Sequence, residues 1–227
     1  GNAEKRSPLY IVGPRGIKRA LSAMMVLWEG LPYRLVVLEK PEGCFSINSD
    51  ILREIEISTL DLDHSTECLG YSLYFKRNRE FDMDKALENQ VPKRLWRHLQ
   101  AGQTFYVDDV SYTPDMVLGK PRPGIKFSYI TDTRPIDAII PFIESSRLFV
   151  CEAMYGDDLD IGKAVKNKHM TFREAANLAY KGQVDQLLLT HFSPSLDSPS
   201  DYIENASSVF KNTSLAYDGI NISIGYP

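Results

Sequence analysis

An α/β layered fold is predicted for this 227-residue chain by three observations. From residue 125 onward, apolar runs alternate with amphipathic stretches, the order of strands and helices in a largely parallel sheet. Three apolar runs end in residues able to carry chemistry: EIEISTLDLDH in His64, KFSYITDTRP in Asp132, and LTHFSPSL, after three leucines, in His191. In parallel-sheet proteins ligands bind at such strand ends. A hydrophobic content of 43% is enough to bury a substantial core, and one domain is expected.

The elements follow in order. LYIVG reads as a strand and PRGIKRALSAMMVLWEG as a helix, with Pro14 near its first turn and Gly30 just past its end. YRLVVLE and EIEISTLDLDH alternate as strands do, and GYSLYF reads as a hairpin partner, with Gly70 permitting the turn. Residues from about 81 to 124 look like an insertion: helical from Phe81 to Gln100, interrupted at Val91 and Pro92, then turns and short strands. Next come strand KFSYIT, helix PIDAIIPFIESS, strand RLFVCEA, helices near DLDIGKAVKN and in TFREAANLAYKG, and strand QLLLTHF. Helix DYIENASSVF and short strands SLAYDG and NISIGY finish the chain. Thr171 with Glu174 spells a capping box, and Gly182 a helix stop.

A net charge of -4 argues against a globally basic nucleic-acid binder. A local patch remains, Lys93, Arg94, Arg97 and His98, with Lys120, Arg122 and Lys126 further on; it reads equally as a solvated helix face. No apolar run reaches membrane-spanning length, and the N-terminus lacks the basic-then-apolar order of a signal peptide, so no membrane association or secretion is expected. Cys44, Cys68 and Cys151 are odd in number and far apart, which fits reduced thiols and a cytoplasmic location.

Two imidazoles and a carboxylate on rigid strand ends are ligands that zinc, manganese or iron accept, which points to a metal hydrolase. Singly, each histidine also reads as a hydrogen-bonded edge residue, and Asp132 as a helix N-cap ahead of Pro135. His169 immediately precedes a helix N-terminus, where an imidazole can meet a phosphate jointly with the helix dipole; the plainer reading is a flanking residue that packs. Glu152 ends the apolar strand in FVCEAMYGDD and could orient His169 or accept a proton, or form a surface salt bridge.

Taken in order, LYIVGPRGI, LDHSTECLGYSL, SYITDTRP, FVCEAMYGDD, NKHMTFREAA and LTHFSPSL resemble segments of the ribonuclease Z family across nearly the whole chain. That family, in the metallo-β-lactamase superfamily, trims the 3′ end of precursor tRNA. The resemblance implies a metallo-β-lactamase-like αββα sandwich. It implies His64, Asp132 and His191 as metal ligands, with Asp132 bridging two metals. His169 would then hold the phosphate, Glu152 would fix His169, and Lys93, Arg94 and Arg97 would steer RNA. The implied cofactor is a pair of divalent metals, zinc or alternatively manganese, used for two-metal phosphodiester hydrolysis. The implied partners are precursor tRNA or another phosphodiester substrate, and a second copy in a homodimer, with no membrane.

The chain departs from the family's pattern in four places. Cys151 stands at the histidine of the His-Glu-Ala-Thr segment, and Met170 at the serine of His-Ser-Thr. The His-x-His-x-Asp-His motif is absent from residues 1–227, whose histidines are His64, His98, His169 and His191. The chain therefore reads as a single metallo-β-lactamase-like domain, 1–227, with its N-terminal part missing, a fragment. Three ligands divided between two metals predict weak or no metal binding and no hydrolysis by this stretch alone. Apolar surface left open should call for a companion segment or a second copy. Finally, FDMDKALENQVPKRLWRHLQAGQ lacks the Gly-Pro pair of the family's tRNA-gripping arm. Two alternatives stay open: a paralogous hydrolase of a small phosphodiester or sulfate ester, and a metal-free scaffold or binding domain.

Overall fold

Short β-branched runs and capped amphipathic runs supply the strands and helices from which the molecule is built. The computed structural model describes residues 7–26, 30–41, 43–47 and 55–226. It falls into two units, 1–75 with 125–225, and 76–124 with 226–227.

In the first unit, β1 (Leu9–Gly13) and β2 (Leu35–Glu39) form a two-stranded parallel sheet, connected through α1 (Ile17–Met25). Pro14 lies ahead of this helix rather than in its first turn. The open N–H groups of Gly16 and Lys18 instead donate to the Glu39 carboxylate at 3.0 and 3.1 Å, so the end of β2 closes the start of α1. The predicted tail of this helix, 27–29, lies outside the described residues. β3 (Cys44–Ile47), β4 (Ile55–Asp61) and β5 (Leu69–Arg77) are antiparallel. Gly70 is not in the turn between β4 and β5; it sits within β5, opposite Leu60. A Cβ there would stand 3.1 Å from Ile130 Cγ1, so close packing calls for the glycine.

The second unit holds α2 (Met83–Glu88), α3 (Trp96–Gln100) and the hairpin of β6 (Phe105–Val107) with β7 (Val110–Tyr112). Asp82 caps α2 by accepting from the Lys85 N–H at 3.0 Å. Ala86, Val91, Leu95, Leu99 and Val117 make its core. Burying Leu95 and Leu99 leaves Lys93, Arg94, Arg97 and His98 exposed.

The rest of the first unit comprises β8 (Arg122–Ile130), α4 (Ile139–Ile143), β9 (Leu148–Glu152), α5 (Ile161–Asn167), α6 (Phe172–Lys181), β10 (Leu187–Thr190), α7 (Glu204–Ser207) and β11 (Thr213–Leu215). The seven-stranded sheet runs β11-β10-β9-β8-β5-β4-β3, with β8 to β11 mutually parallel. Both faces of β9 and β10 are covered, which is why their sequences are continuously apolar. Phe149, Cys151, Leu187 and Leu189 pack with Ile139, Ile143, Phe172 and Ala206 of the helices. Leu148, Val150 and Leu188 face Ala216, Ile220, Ile222 and Ile224. The predicted strand NISIGY is therefore irregular chain whose isoleucines cover the sheet instead of extending it. Among the described residues no helix is long and apolar enough to cross a membrane.

α6 carries both halves of its capping box, and Phe172, Ala175, Ala176, Leu178 and Ala179 form its buried stripe. Gly182 ends it for a reason other than left-handed backbone: its φ is -77°, and the left-handed residue is Gln183. A Cβ at Gly182 would lie 2.6 Å from Ile143 Cγ1. Gly182→Ala is therefore expected to destabilise the fold by about 1–3 kcal/mol through overpacking, read as a lower urea midpoint with unchanged m-value.

Candidate functional site

Five residues singled out in the sequence come together at the C-terminal ends of the central strands. Glu152 is the last residue of β9, Asp132 and His191 follow β8 and β10, His64 follows β4, and His169 lies between α5 and α6. Asp132 does not cap a helix, since α4 begins only at Ile139 with Ala138 before it. Asp132 and His191 both adopt left-handed backbone, φ 54° and 59°. Left-handed backbone after β8 and again after β10, the strands on either side of β9, aims both side chains at the cost of backbone ease.

The His191 Nε2 atom lies 3.4 Å from Asp132 Oδ1, and their side chains are 36% and 38% exposed, open to a ligand. The His64 and His169 rings are 5.1 Å apart, and those of His169 and His191 5.4 Å. Donor atoms of His64, Asp132 and His169 lie within 4.8 Å of one another, as do those of Glu152, His169 and His191. Imidazole and carboxylate at this spacing can hold a divalent cation.

Hydrogen bonds sort these donors. His64 Nδ1 is 3.3 Å from the Lys168 carbonyl, which can only accept, so Nδ1 carries the proton and Nε2 is the nitrogen that could ligate a cation. His169 Nδ1 is held at 3.1 and 3.2 Å by the two oxygens of Glu152. Glu152 is fully buried and also accepts from the N–H groups of Thr133 and Met170. Its oxygens are thus occupied by His169 and two backbone N–H groups, and the surface salt bridge considered from sequence does not form. Burial pushes the Glu152 carboxyl up to about 7, against the pull of those two N–H groups. Burial also pushes the His169 imidazole down, and the neighbouring His64 adds to this. Both shifts disfavour charge, so the pair holds a hydrogen bond rather than a full ion pair.

The sequence reading missed the residues that bind these loops to each other. Asp63 N–H donates to Thr133 Oγ1 at 3.0 Å, and Lys168 Nζ reaches Asp63 Oδ1 at 2.7 Å. Arg134 Nη1 donates to the His169 carbonyl at 2.6 Å, and its guanidinium pairs with Glu174. The signal was present as polar residues beside each candidate, Asp63 before His64 and Arg134 after Asp132, without a spacing rule to single them out. Cys68 also lies close by, its Sγ 3.4 Å from the Thr131 carbonyl; burial and then the Asp132 charge push its thiol up. Lys93, Arg94 and Arg97 belong to the other unit, where Lys93 Nζ lies 5.9 Å over the Trp96 ring.

No protein-family model matches the chain. It is 58% identical over 226 residues to a ribonuclease Z of Clostridioides difficile (strain 630), covering 100% of this chain and 74% of that protein. Among solved structures, the metallo-β-lactamase fold protein YhfI of Bacillus subtilis matches with a TM-score of 0.58 at 17% identity, over 94% of this chain and 64% of that one. Human tRNase Z, short form, matches with a TM-score of 0.55 at 19% identity, over 96% of this chain and 68% of that one. The chain thus has the metallo-β-lactamase fold and spans about two thirds to three quarters of these proteins' lengths.

Proposed function

Because the chain belongs to the ribonuclease Z family, we propose that it is a metal-dependent endoribonuclease that trims the 3′ end of precursor tRNA. The observation that carries this reading is the buried Glu152–His169 pair beside the partly exposed donors of His64, Asp132 and His191. Those three residues would hold the metal, zinc by donor chemistry, with manganese as the alternative. When bound, the metal supplies Lewis-acid polarisation of the phosphoryl group and lowers the pKa of water. With the proton of the pair on Glu152, its carboxyl O–H would donate to His169 Nδ1, leaving Nε2–H to donate to the scissile phosphate. The exposed Lys93, Arg94 and Arg97 would neutralise backbone phosphates.

In the natively produced protein the expected result is a single 3′ cut in precursor tRNA, abolished by EDTA and restored by zinc or manganese. Binding should weaken steeply with salt, and each of the three basic residues replaced should lower the log–log salt slope by about 1. Hydrolysis of a small phosphodiester without tRNA cleavage would transfer the site to the paralogous-hydrolase reading. A melting temperature indifferent to EDTA, with no hydrolysis, would transfer it to the scaffold reading. Residues 1–227 alone are expected to retain less than one metal per chain after dialysis, since three ligands shared between two sites under-coordinate both; two tightly held ions would show this ligand count to be wrong.

Two further readings have support of their own. Exposed Leu9, Tyr10, Met24 and Val26 on β1 and around α1 favour a homodimer, which sedimentation equilibrium tests. The cysteines Cys44, Cys68 and Cys151 are all free, which supports a reducing, cytoplasmic setting.

A further inference from the structure

Of the five segments that carry the candidate site, three are tied together by one residue, which lies in one of them and bonds to the other two or to their immediate neighbours. Arg134 stands two residues after Asp132 in the loop that follows β8. Its backbone N–H donates to the Asp63 carbonyl at 3.0 Å, next to His64. Its Nη1 donates to the His169 carbonyl at 2.6 Å and to Glu174 Oε2 at 2.8 Å, while Nη2 takes the other Glu174 oxygen. Glu174 Oε2 also accepts from the Thr171 N–H at 2.9 Å, so the carboxylate that completes the α6 capping box is the one that grips Arg134. The side chains of Arg134 and Glu174 are only 18% and 22% exposed.

A planar guanidinium with its donors in a fixed fork sets both distance and angle between the groups it bridges, which a lysine ammonium cannot do. Here the bridged groups are the loop bearing Asp132 and the main chain of His169 itself. We propose that Arg134 is a positioning residue: through the His169 carbonyl and Glu174 it holds the His169 ring in register with Asp132 and His64. This rests on the ribonuclease reading for its kinetic consequence, and on geometry alone for the placement of the ring. Arg134 touches no reacting atom in this account; it acts through His169.

The test compares Arg134→Met, Arg134→Lys and Gly182→Ala in the natively produced protein. Misplacing a reacting group by about 1 Å can cost about 100-fold in rate. Arg134→Met is therefore expected to lower kcat on precursor tRNA by about 100-fold with KM changed less than about twofold, and Arg134→Lys to recover part of the loss. Gly182→Ala, which loosens the other end of α6, should lower the melting temperature and leave kcat unchanged. Imidazole NMR reads placement without activity, and residues 1–227 contribute four histidines to the spectrum. The ring signals of His169 should move in Arg134→Met, while those of His98, in the other unit, stay. Unmoved His169 signals, or a kcat loss no larger than that of Gly182→Ala at matched stability, would overturn the proposal. A wild-type protein that does not cut tRNA would instead sink the ribonuclease reading, and the NMR comparison would still decide the role of Arg134.

Discussion

Replacing His169 by alanine should lower kcat for precursor tRNA cleavage by about 10²–10⁴-fold while bound metal per chain stays constant. The magnitude is that of losing one positioned proton-handling group. The constancy of metal follows from the hydrogen bonds. His64 Nε2 and the Asp132 and His191 donors are free to ligate, whereas the His169 ring is tied through Nδ1 to a buried carboxyl. The two donor groups nevertheless share His169, so the geometry admits a rival role as ligand. Metal analysis beside single-turnover kinetics separates the two. A fall in metal content matching the fall in rate would make His169 a ligand and remove it from the phosphate. KM should change little, because in the proposed role the hydrogen bond to phosphate would strengthen as charge develops.

How much of this could be read from residues alone depends on the kind of signal. β9 and β10 were legible because strands covered on both faces must be continuously apolar, and α6 because a capping box has a fixed spacing. The clustering of His64, Asp132 and His191 was legible because strand ends of one sheet are brought together by the sheet itself. Gly70 was read as a turn residue but packs against Ile130 within β5, and Gly182, read as a helix stop, does end α6, although the contact that calls for glycine there is with Ile143, distant in sequence. NISIGY alternates like a strand, but its isoleucines are used to cover β9 and β10. Arg134, Lys168 and Asp63 were invisible because their importance lies in partners 35 to 105 residues away. Glu152 was seen as a candidate, but its complete burial follows only from the packing of α6 over β9.

That burial makes Glu152 the position where substitution should cost most stability. Glu152→Leu would leave the N–H groups of Thr133 and Met170 without their acceptor, and His169 Nδ1 without its partner, in a site closed to water. Each orphaned polar group costs about 1–3 kcal/mol, so for the three a loss of about 3–9 kcal/mol is expected, a large part of a domain's stability. Glu152→Gln keeps shape and one acceptor, and isolates the charge. The folded carboxyl holds its proton up to about 7, whereas an unstructured glutamate releases it near 4.5. The folded state therefore binds more protons across that interval. The stability due to this group is full below pH 4.5, declines as pH rises through 7, and is level above it. The span amounts to about 3 kcal/mol, from the free energy of each pH unit of difference. The depressed His169 ring acts oppositely, losing stability as pH falls below its ordinary 6.5, so the metal-free wild type alone shows a blunted profile. Urea titrations of metal-free wild type and Glu152→Gln between pH 5 and 8.5 remove that overlap by difference. The advantage of the wild type should shrink as pH rises through 7; an advantage constant with pH would mean that Glu152 stays ionised in the folded protein, held there by its three donors.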